Sequence, residues 1–105
     1  MDWVRVRLDV AHQLIGPVWP DESPQIVEVG VLPPWDGYFV TIRITYVTQG
    51  FGGSFEWGLH EDEMGSFDRI SEEDAAEGIA TRARIDLMEH LSERAYEKRY
   101  GRPAP

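Results

Sequence analysis

Three consecutive runs of alternating apolar and polar residues leave this chain few ways to fold. They cover Ile26 to Leu32, Tyr38 to Thr48 and Ser54 to His60. Because successive side chains of a β-strand point to opposite faces of a sheet, the alternation predicts three strands, each with one buried face. The connections, Pro33 to Gly37 and Gln49 to Gly53, are short and rich in turn-forming residues, so we expect an antiparallel meander in the order 1-2-3.

The alternation also assigns each strand an inward face of apolar residues, which we expect to form the core together with two helices. The residues predicted to point inward are Val27, Val29 and Val31 in the first strand, Tyr38, Val40, Ile42, Ile44 and Tyr46 in the second, and Phe55, Trp57 and Leu59 in the third.

The first predicted helix covers residues 2–15. Its helical spacing runs through Val4, Leu8, Ala11 and Ile15, with Trp3, Val10 and Leu14 beside them. The alternation of Val4, Val6, Leu8 and Val10 also fits a strand, but the helical pattern accounts for more of the segment. Asp2 can cap the first turn, and Gly16-Pro17 ends the helix.

The second predicted helix begins at Ser71, which can cap it together with Asp74, and ends at Gly101 and Pro103. At about 1.5 Å per residue it would be about 40 Å long, more than a three-stranded sheet can cover, so its last turns either project or pack on a second subunit. The predicted buried stripe is Ala76, Ile79, Ala80, Ala83, Leu87, Leu91 and Ala95.

Together these elements predict one α+β domain over residues 1–105, in the order αβββα, with a short flexible tail from about residue 101. Both helices are expected to lie on one face of the sheet, the face of Val27, Ile42 and Trp57. Residues 16–25 hold three prolines and predict a loop, anchored to the core by Trp19.

Composition narrows the class of protein. The chain has no cysteine, which excludes disulfides and thiolate chemistry, and no segment approaches membrane-spanning length, so we expect a soluble cytoplasmic protein with no membrane contact. Arginine outnumbers lysine nine to one, a bias associated with GC-rich bacterial genomes.

The formal net charge of −9 is concentrated between residues 61 and 77, which carry eight acidic residues against Arg69. Such a field repels phosphate and favours basic partners. Double-stranded-RNA-binding domains share the predicted element order, but they need a basic stripe, and here the segment before the last helix is the most acidic one. Nucleic acid is therefore not an expected partner.

Two surfaces collect the residues that could carry chemistry. One is the acidic segment, which begins with Glu61, Asp62 and Glu63. The other is the open face of the sheet. There we expect Arg43 of the second strand to lie between Glu28 of the first strand and Gly58 of the third. Phe39, Val47, Ile26 and Leu32 are predicted to fringe this face, and Glu56 and His60 to share it.

Neither surface carries a diagnostic motif. Glu56, His60 and Asp62 fall on one strand face and could ligate a metal, but a solvated strand face has the same pattern. Glu61 to Glu63 lack the spacing of a calcium loop. Ser54 lacks the second glycine of a nucleophile elbow, and Gly50, Gly52 and Gly53 precede no helix that could receive a phosphate. We expect no catalytic residue, metal or cofactor.

Three hypotheses follow. The leading one is a non-enzymatic protein of the inhibitor, immunity-protein or chaperone kind, which binds a basic partner through its acidic segment, helped by exposed aromatic residues at Trp35 and Phe51. The second is a small-molecule-binding or enzymatic domain that uses the open sheet face. The third is a structural homodimer, joined by the long last helix or by the open sheet face.

Overall fold

A computed structural model of the chain describes residues 2–15, 24–48, 51–67 and 69–102. It confirms the predicted α+β architecture in the order αβββα. The elements are α1 (Trp3–Ile15), β1 (Gln25–Val31), β2 (Tyr38–Thr48), β3 (Phe51–His60), a 3-10 helix η1 (Glu61–Ser66) and α2 (Glu72–Tyr100).

Three predictions fall wholly or partly outside the described residues. These are the loop over residues 16–25 with its Trp19 anchor, the turn around residues 49 and 50, and the tail from residue 103 onwards. Gly52 and Gly53, which were assigned to that turn, belong to β3, because the pairing of β2 with β3 extends to Thr48 and Phe51.

Helix α1 begins at the predicted cap. The backbone N–H groups of Val4 and Arg5 donate to Oδ1 of Asp2 over 3.1 and 3.3 Å, which satisfies two amides of the first turn. The helical spacing predicted for α1 identifies its buried side only in part. The helix buries Val6, Val10, Ala11 and Leu14, whereas Val4, Leu8 and Ile15 are exposed. Apolar residues occupy two sides of this helix, and periodicity alone cannot tell which side faces the sheet.

The sheet has the predicted order β1-β2-β3, with antiparallel pairing throughout. The inward faces of β2 and β3 were predicted correctly for the residues that form the centre of the core. These buried residues are Val40, Ile42, Ile44 and Tyr46 on β2, and Trp57 and Leu59 on β3.

Two register shifts overturn the alternation at the ends of strands. In β1 the pairing shifts between Ile26 and Glu28, so Ile26 is buried in the core and Val27 is exposed, the reverse of the prediction. In β2 it shifts between Tyr38 and Val40, around Phe39. An extra residue on one strand reverses the faces of the residues beyond it, which strict alternation does not anticipate. Val31, also predicted inward, pairs with the buried Ile42 but is exposed at the sheet edge.

The first part of the acidic segment packs against the core. Residues 61–66 form η1, and Met64 and Phe67 are each only 7% exposed. The Phe67 ring lies against Gly78, where a Cβ atom would be 3.1 Å from Cε1 of the ring. These two apolar anchors hold the acidic segment against the core.

Helix α2 starts and stops as predicted. Oγ of Ser71 accepts a 3.1 Å hydrogen bond from the N–H of Asp74, and Gly101 ends the helix in the left-handed conformation with φ of 65°. The predicted stripe is buried as far as Leu91, but Ala95 is exposed. The last turns of α2 therefore project beyond the core.

The two helices are held together along one side of the sheet. Arg84 of α2 donates from Nη2 to the backbone oxygen of Gln13 at the end of α1, over 2.7 Å. Burial lowers the pKa of Arg84, and the nearby carboxylate of Glu77 opposes that shift. At the other end of α1, the backbone N–H of Asp2 donates to Glu72 over 3.0 Å.

Candidate functional site

The acidic segment and the open sheet face meet at His60. This residue is the last one of β3, and Glu61 is the first of η1. The imidazole lies on the sheet face opposite Leu59, so it borders both surfaces. The sequence predicted the two surfaces separately, and the structure joins them into one.

An aromatic row crosses the open face beside this junction. The ring centroids of Trp35 and Tyr38 are 5.5 Å apart, and those of Tyr38 and His60 are 5.0 Å apart, both in edge-on geometry. We call these three residues the aromatic row. All three are half-buried, so each residue keeps part of its surface exposed to solvent.

The absence of a side chain at Gly58 allows the aromatic row to pack on β3. A Cβ atom at this position would lie 2.8 Å from Cδ1 of Tyr38 and 3.0 Å from Cζ3 of Trp35, closer than side chains pack. Two predictions are corrected here. Tyr38 was expected to point into the core, and Trp35 was expected to be exposed. Instead both lie over Gly58 on the open face, Tyr38 because the register shift at Phe39 reverses its direction.

Hydrogen bonds to β2 hold the loop that carries Trp35. The hydroxyl of Thr41, a fully buried side chain, contacts the backbone oxygens of Leu32 and Pro33, each at 3.1 Å. The N–H of Tyr38 donates to the Trp35 oxygen over 2.9 Å, across a turn in which Gly37 adopts φ of 79°. These bonds fix the backbone of the loop that carries Trp35.

Acidic residues adjoin the aromatic row. The N–H of Glu61 donates to the Gly37 oxygen over 2.9 Å, which ties the start of η1 to the loop that carries Asp36. Asp36, Glu61 and Asp62 are all exposed. Oδ2 of Asp62 lies 3.3 Å from Nδ1 of His60, which also accepts a 3.2 Å hydrogen bond from the Asp62 N–H. Asp62 therefore contacts the His60 ring, while Asp36 and Glu61 adjoin Trp35 and His60 along the chain.

Glu63 belongs to a different environment. Its carboxylate forms a salt bridge with Arg82 of α2, which fastens η1 to the helix. Of the three acidic residues predicted at this position, Glu61 and Asp62 border the aromatic row, while Glu63 has a structural partner within the chain.

The predicted pair of Glu28 and Arg43 was wrong. The register shift in β1 places Glu28 opposite Thr45, while Gly30 lies opposite Arg43. Arg43 instead forms a 2.7 Å salt bridge with Glu56 of β3, in which the two side chains are 51% and 48% exposed. A pair this exposed contributes roughly 0 to 1 kcal/mol to stability.

Two of the four apolar residues predicted to fringe the open face lie elsewhere. Phe39 lies on the other side of the sheet, where its ring centroid is 6.3 Å from that of Trp3 on α1, and its backbone oxygen accepts a 2.7 Å hydrogen bond from Arg7. Ile26 is buried in the core. Phe39 therefore lies apart from Arg43 and Glu56, which are paired on the open face.

The sequence did not predict a groove between the helices. It has a volume of about 460 Å³, is widely open to solvent, and carries side chains of both charge signs. Its lining residues are Arg5, Asp9, His12, Gln13, Glu72 and Glu73.

His90 lies on the side of α2 that faces the sheet. Its ring stacks on Phe55 with centroids 4.8 Å apart, and Nε2 is 3.3 Å from the Tyr46 hydroxyl. Burial lowers the pKa of His90, and so does Arg94; Glu93 and Glu97 oppose them. This histidine is part of the packing between α2 and the sheet.

Comparison of the chain with protein-family models, with curated proteins and with solved structures finds no match. Among the described residues, no group of three or more histidine and acidic side chains is arranged to hold a metal ion. No helix in the described ranges is both long and apolar enough to span a membrane.

Proposed function

We propose that this chain is a cytoplasmic, non-enzymatic interaction protein that binds a partner with a basic surface. The binding site is the aromatic row of Trp35, Tyr38 and His60 together with Asp36, Glu61 and Asp62. The observation that carries the proposal is the position of His60, whose ring contacts Tyr38 on one side and Asp62 on the other.

This combination suits a cationic side chain. An arginine or lysine over an aromatic face gains about 0.5 to 2 kcal/mol from the ring quadrupole, and a neighbouring carboxylate adds a charge-assisted hydrogen bond. Arginine fits best, because its planar guanidinium can stack on a ring and bind a carboxylate at the same time. We therefore expect the partner to present at least one arginine.

The overall charge assists the encounter. The net charge of −9 and the acidic residues between 61 and 77 attract a basic partner over distances longer than a contact. Electrostatic steering of this kind raises the association rate and weakens as salt is added. The aromatic row supplies a second contribution that salt screens much less.

Fluorescence anisotropy with a fluorescein-labelled oligoarginine peptide tests the site. Trp35→Leu leaves the charge unchanged, and we expect it to weaken binding about three- to ten-fold through loss of the stacking surface. An oligoglutamate peptide of equal length should not bind. Unchanged affinity of the Trp35→Leu variant, with its thermal midpoint retained, would exclude the aromatic row.

A second comparison separates the site from net charge alone. The double variant Glu61→Lys with Asp62→Lys changes the net charge as much as Glu89→Lys with Glu93→Lys, which alters exposed positions on α2. We expect the first to weaken peptide binding much more than the second. Equal losses in the two variants would mean that only the total charge matters.

A further inference from the structure

Helix α2 has a second apolar face on the side away from the core. Ile85 is 61% exposed and Met88 is 40% exposed. Ile85 stands two residues from Ala83 and from Leu87, both fully buried, and two residues correspond to about 200° around a helix. A surface helix usually has one apolar face, so this second one needs an explanation.

The second face follows the spacing of a coiled-coil seam. Its members are separated by four, three, four, three and four residues, the alternation by which two helices pack side by side. The small side chains in it allow the two helices to approach closely. We call this set the outer stripe: Thr81, Ile85, Met88, Ser92, Ala95 and Arg99.

The projecting end of α2 continues the outer stripe. Beyond Leu91, every residue as far as Tyr100 is exposed except Tyr96, which is half-buried. The rings of Tyr96 and Tyr100 are in tilted contact, with centroids 4.6 Å apart, beside an open depression that Ala95 and Arg99 help to line. Isolated helical turns are marginally stable in water, so a packing partner would stabilise this end.

Charge along α2 favours one orientation of the partner. The first turns carry Glu72, Glu73, Asp74 and Glu77, and the end carries Lys98, Arg99 and Arg102. Two copies of α2 side by side in parallel would set acid beside acid and base beside base. In an antiparallel pair Glu77 of one copy lies near Arg99 and Arg102 of the other, and the two helix dipoles are also opposed.

The near end of the outer stripe is set by Phe67, whose ring covers Gly78 one turn before Thr81. The exposed part of the stripe is therefore centred between Met88 and Ser92. A two-fold axis at this point brings Thr81 of one copy opposite Arg99 of the other, with Glu77 one turn from that contact. Homodimers most often have this symmetry.

We propose that two copies of this chain pair through their outer stripes, with the α2 helices antiparallel and a two-fold axis between Met88 and Ser92. The pair leaves both aromatic rows accessible, because they lie on the sheet face that the helices do not cover. The dimer is thus independent of the proposed binding of a basic partner.

Sedimentation velocity of the full chain at micromolar concentration tests the assembly. We expect a species of twice the 12.0 kDa chain mass, and monomer mass for Ile85→Glu with Met88→Glu. Val4→Glu with Leu8→Glu is the matched control, since these residues are similarly exposed on α1, and it should remain a dimer. Monomer mass for the unaltered chain, or dissociation of the control alone, would overturn the proposal.

Crosslinking tests the orientation, because the natural chain has no cysteine. Chains with Thr81→Cys and chains with Arg99→Cys are oxidised separately and as a mixture. Antiparallel pairing predicts a covalent dimer in the mixture alone. Covalent dimers in the separate samples, or none in the mixture, would contradict this arrangement. The Ile85→Glu, Met88→Glu variant should still bind the oligoarginine peptide, because the aromatic row is separate from the outer stripe. Peptide binding and dimer formation can therefore be tested independently.

Discussion

The indole nitrogen of Trp57 donates a 2.6 Å hydrogen bond to Oδ2 of Asp86, which joins the middle of β3 to the middle of α2. Trp57 is buried, so its N–H loses access to water when this acceptor is removed. We expect Asp86→Ala to lower the free energy of unfolding by about 2 kcal/mol, as for other hydrogen bonds to charged groups. Urea denaturation measures the change.

The control for this bond is Glu89→Ala, on the exposed side of the same helix. We expect it to change the free energy of unfolding by less than about 0.5 kcal/mol. If the two variants were destabilised equally, the bond between Trp57 and Asp86 would not account for the effect.

Gly58 and Gly30 form a second matched pair, since both lie on the open face of the sheet. A Cβ atom at Gly58 meets Tyr38 at 2.8 Å, whereas one at Gly30 meets nothing within 4 Å. Gly58→Ala should lower the free energy of unfolding by about 1 to 3 kcal/mol through displacement of the rings. Gly30→Ala should be neutral or stabilising by up to about 1 kcal/mol. Thermal and urea unfolding distinguish the two, and a harmless Gly58→Ala would disprove the close packing.

The buried hydroxyl of Thr41 gives a prediction about the loop that carries Trp35. Thr41→Val keeps the shape of the side chain but leaves the oxygens of Leu32 and Pro33 without this donor. We expect a loss of about 1 to 2 kcal/mol in the free energy of unfolding. Thr45→Val, on the same face of β2 but half-buried, should change it by less than about 0.5 kcal/mol. If both variants lost similar unfolding free energy, the cause would be the change in strand propensity from threonine to valine and not the lost hydrogen bonds.

The lowered pKa of His90 makes stability depend on pH in a defined direction. As the pH falls below 6.5, the ordinary pKa of histidine, His90 becomes protonated in the unfolded chain first. In the folded chain its lowered pKa delays protonation to a lower pH. Stability from this group is therefore complete above pH 6.5 and declines as the pH falls towards the lowered folded value. His90→Gln should flatten this part of the curve of unfolding free energy against pH. An unchanged slope in the His90→Gln variant would exclude His90 as its origin.

The order and type of the main elements could be predicted because local signals agreed with one another. Ser71, Asp74 and Gly101 define both ends of α2, and these caps depend on residues close in sequence. The alternation along β2 likewise gave its limits, Tyr38 and Thr48. Local chemistry of this kind can be read directly from a sequence.

The candidate site could be predicted only in part, because it depends on register. His60, Glu61 and Asp62 were identified as surface residues, but the aromatic row was not. Its position follows from a single extra residue at Phe39, which turns Tyr38 to the open face. Gly58 was the available signal: a glycine between two large inward residues often marks the close approach of another group. The sequence did not say what approaches it.

The register shift at Val27 has a consequence for the edge of the sheet that β1 forms. β1 is an outer strand, and an outer strand with regular backbone spacing can recruit strands from other chains and seed fibrils. At Val27 the spacing of amide and carbonyl groups is interrupted after only two residues of the strand. The interruption makes this margin a poor template for the addition of further strands.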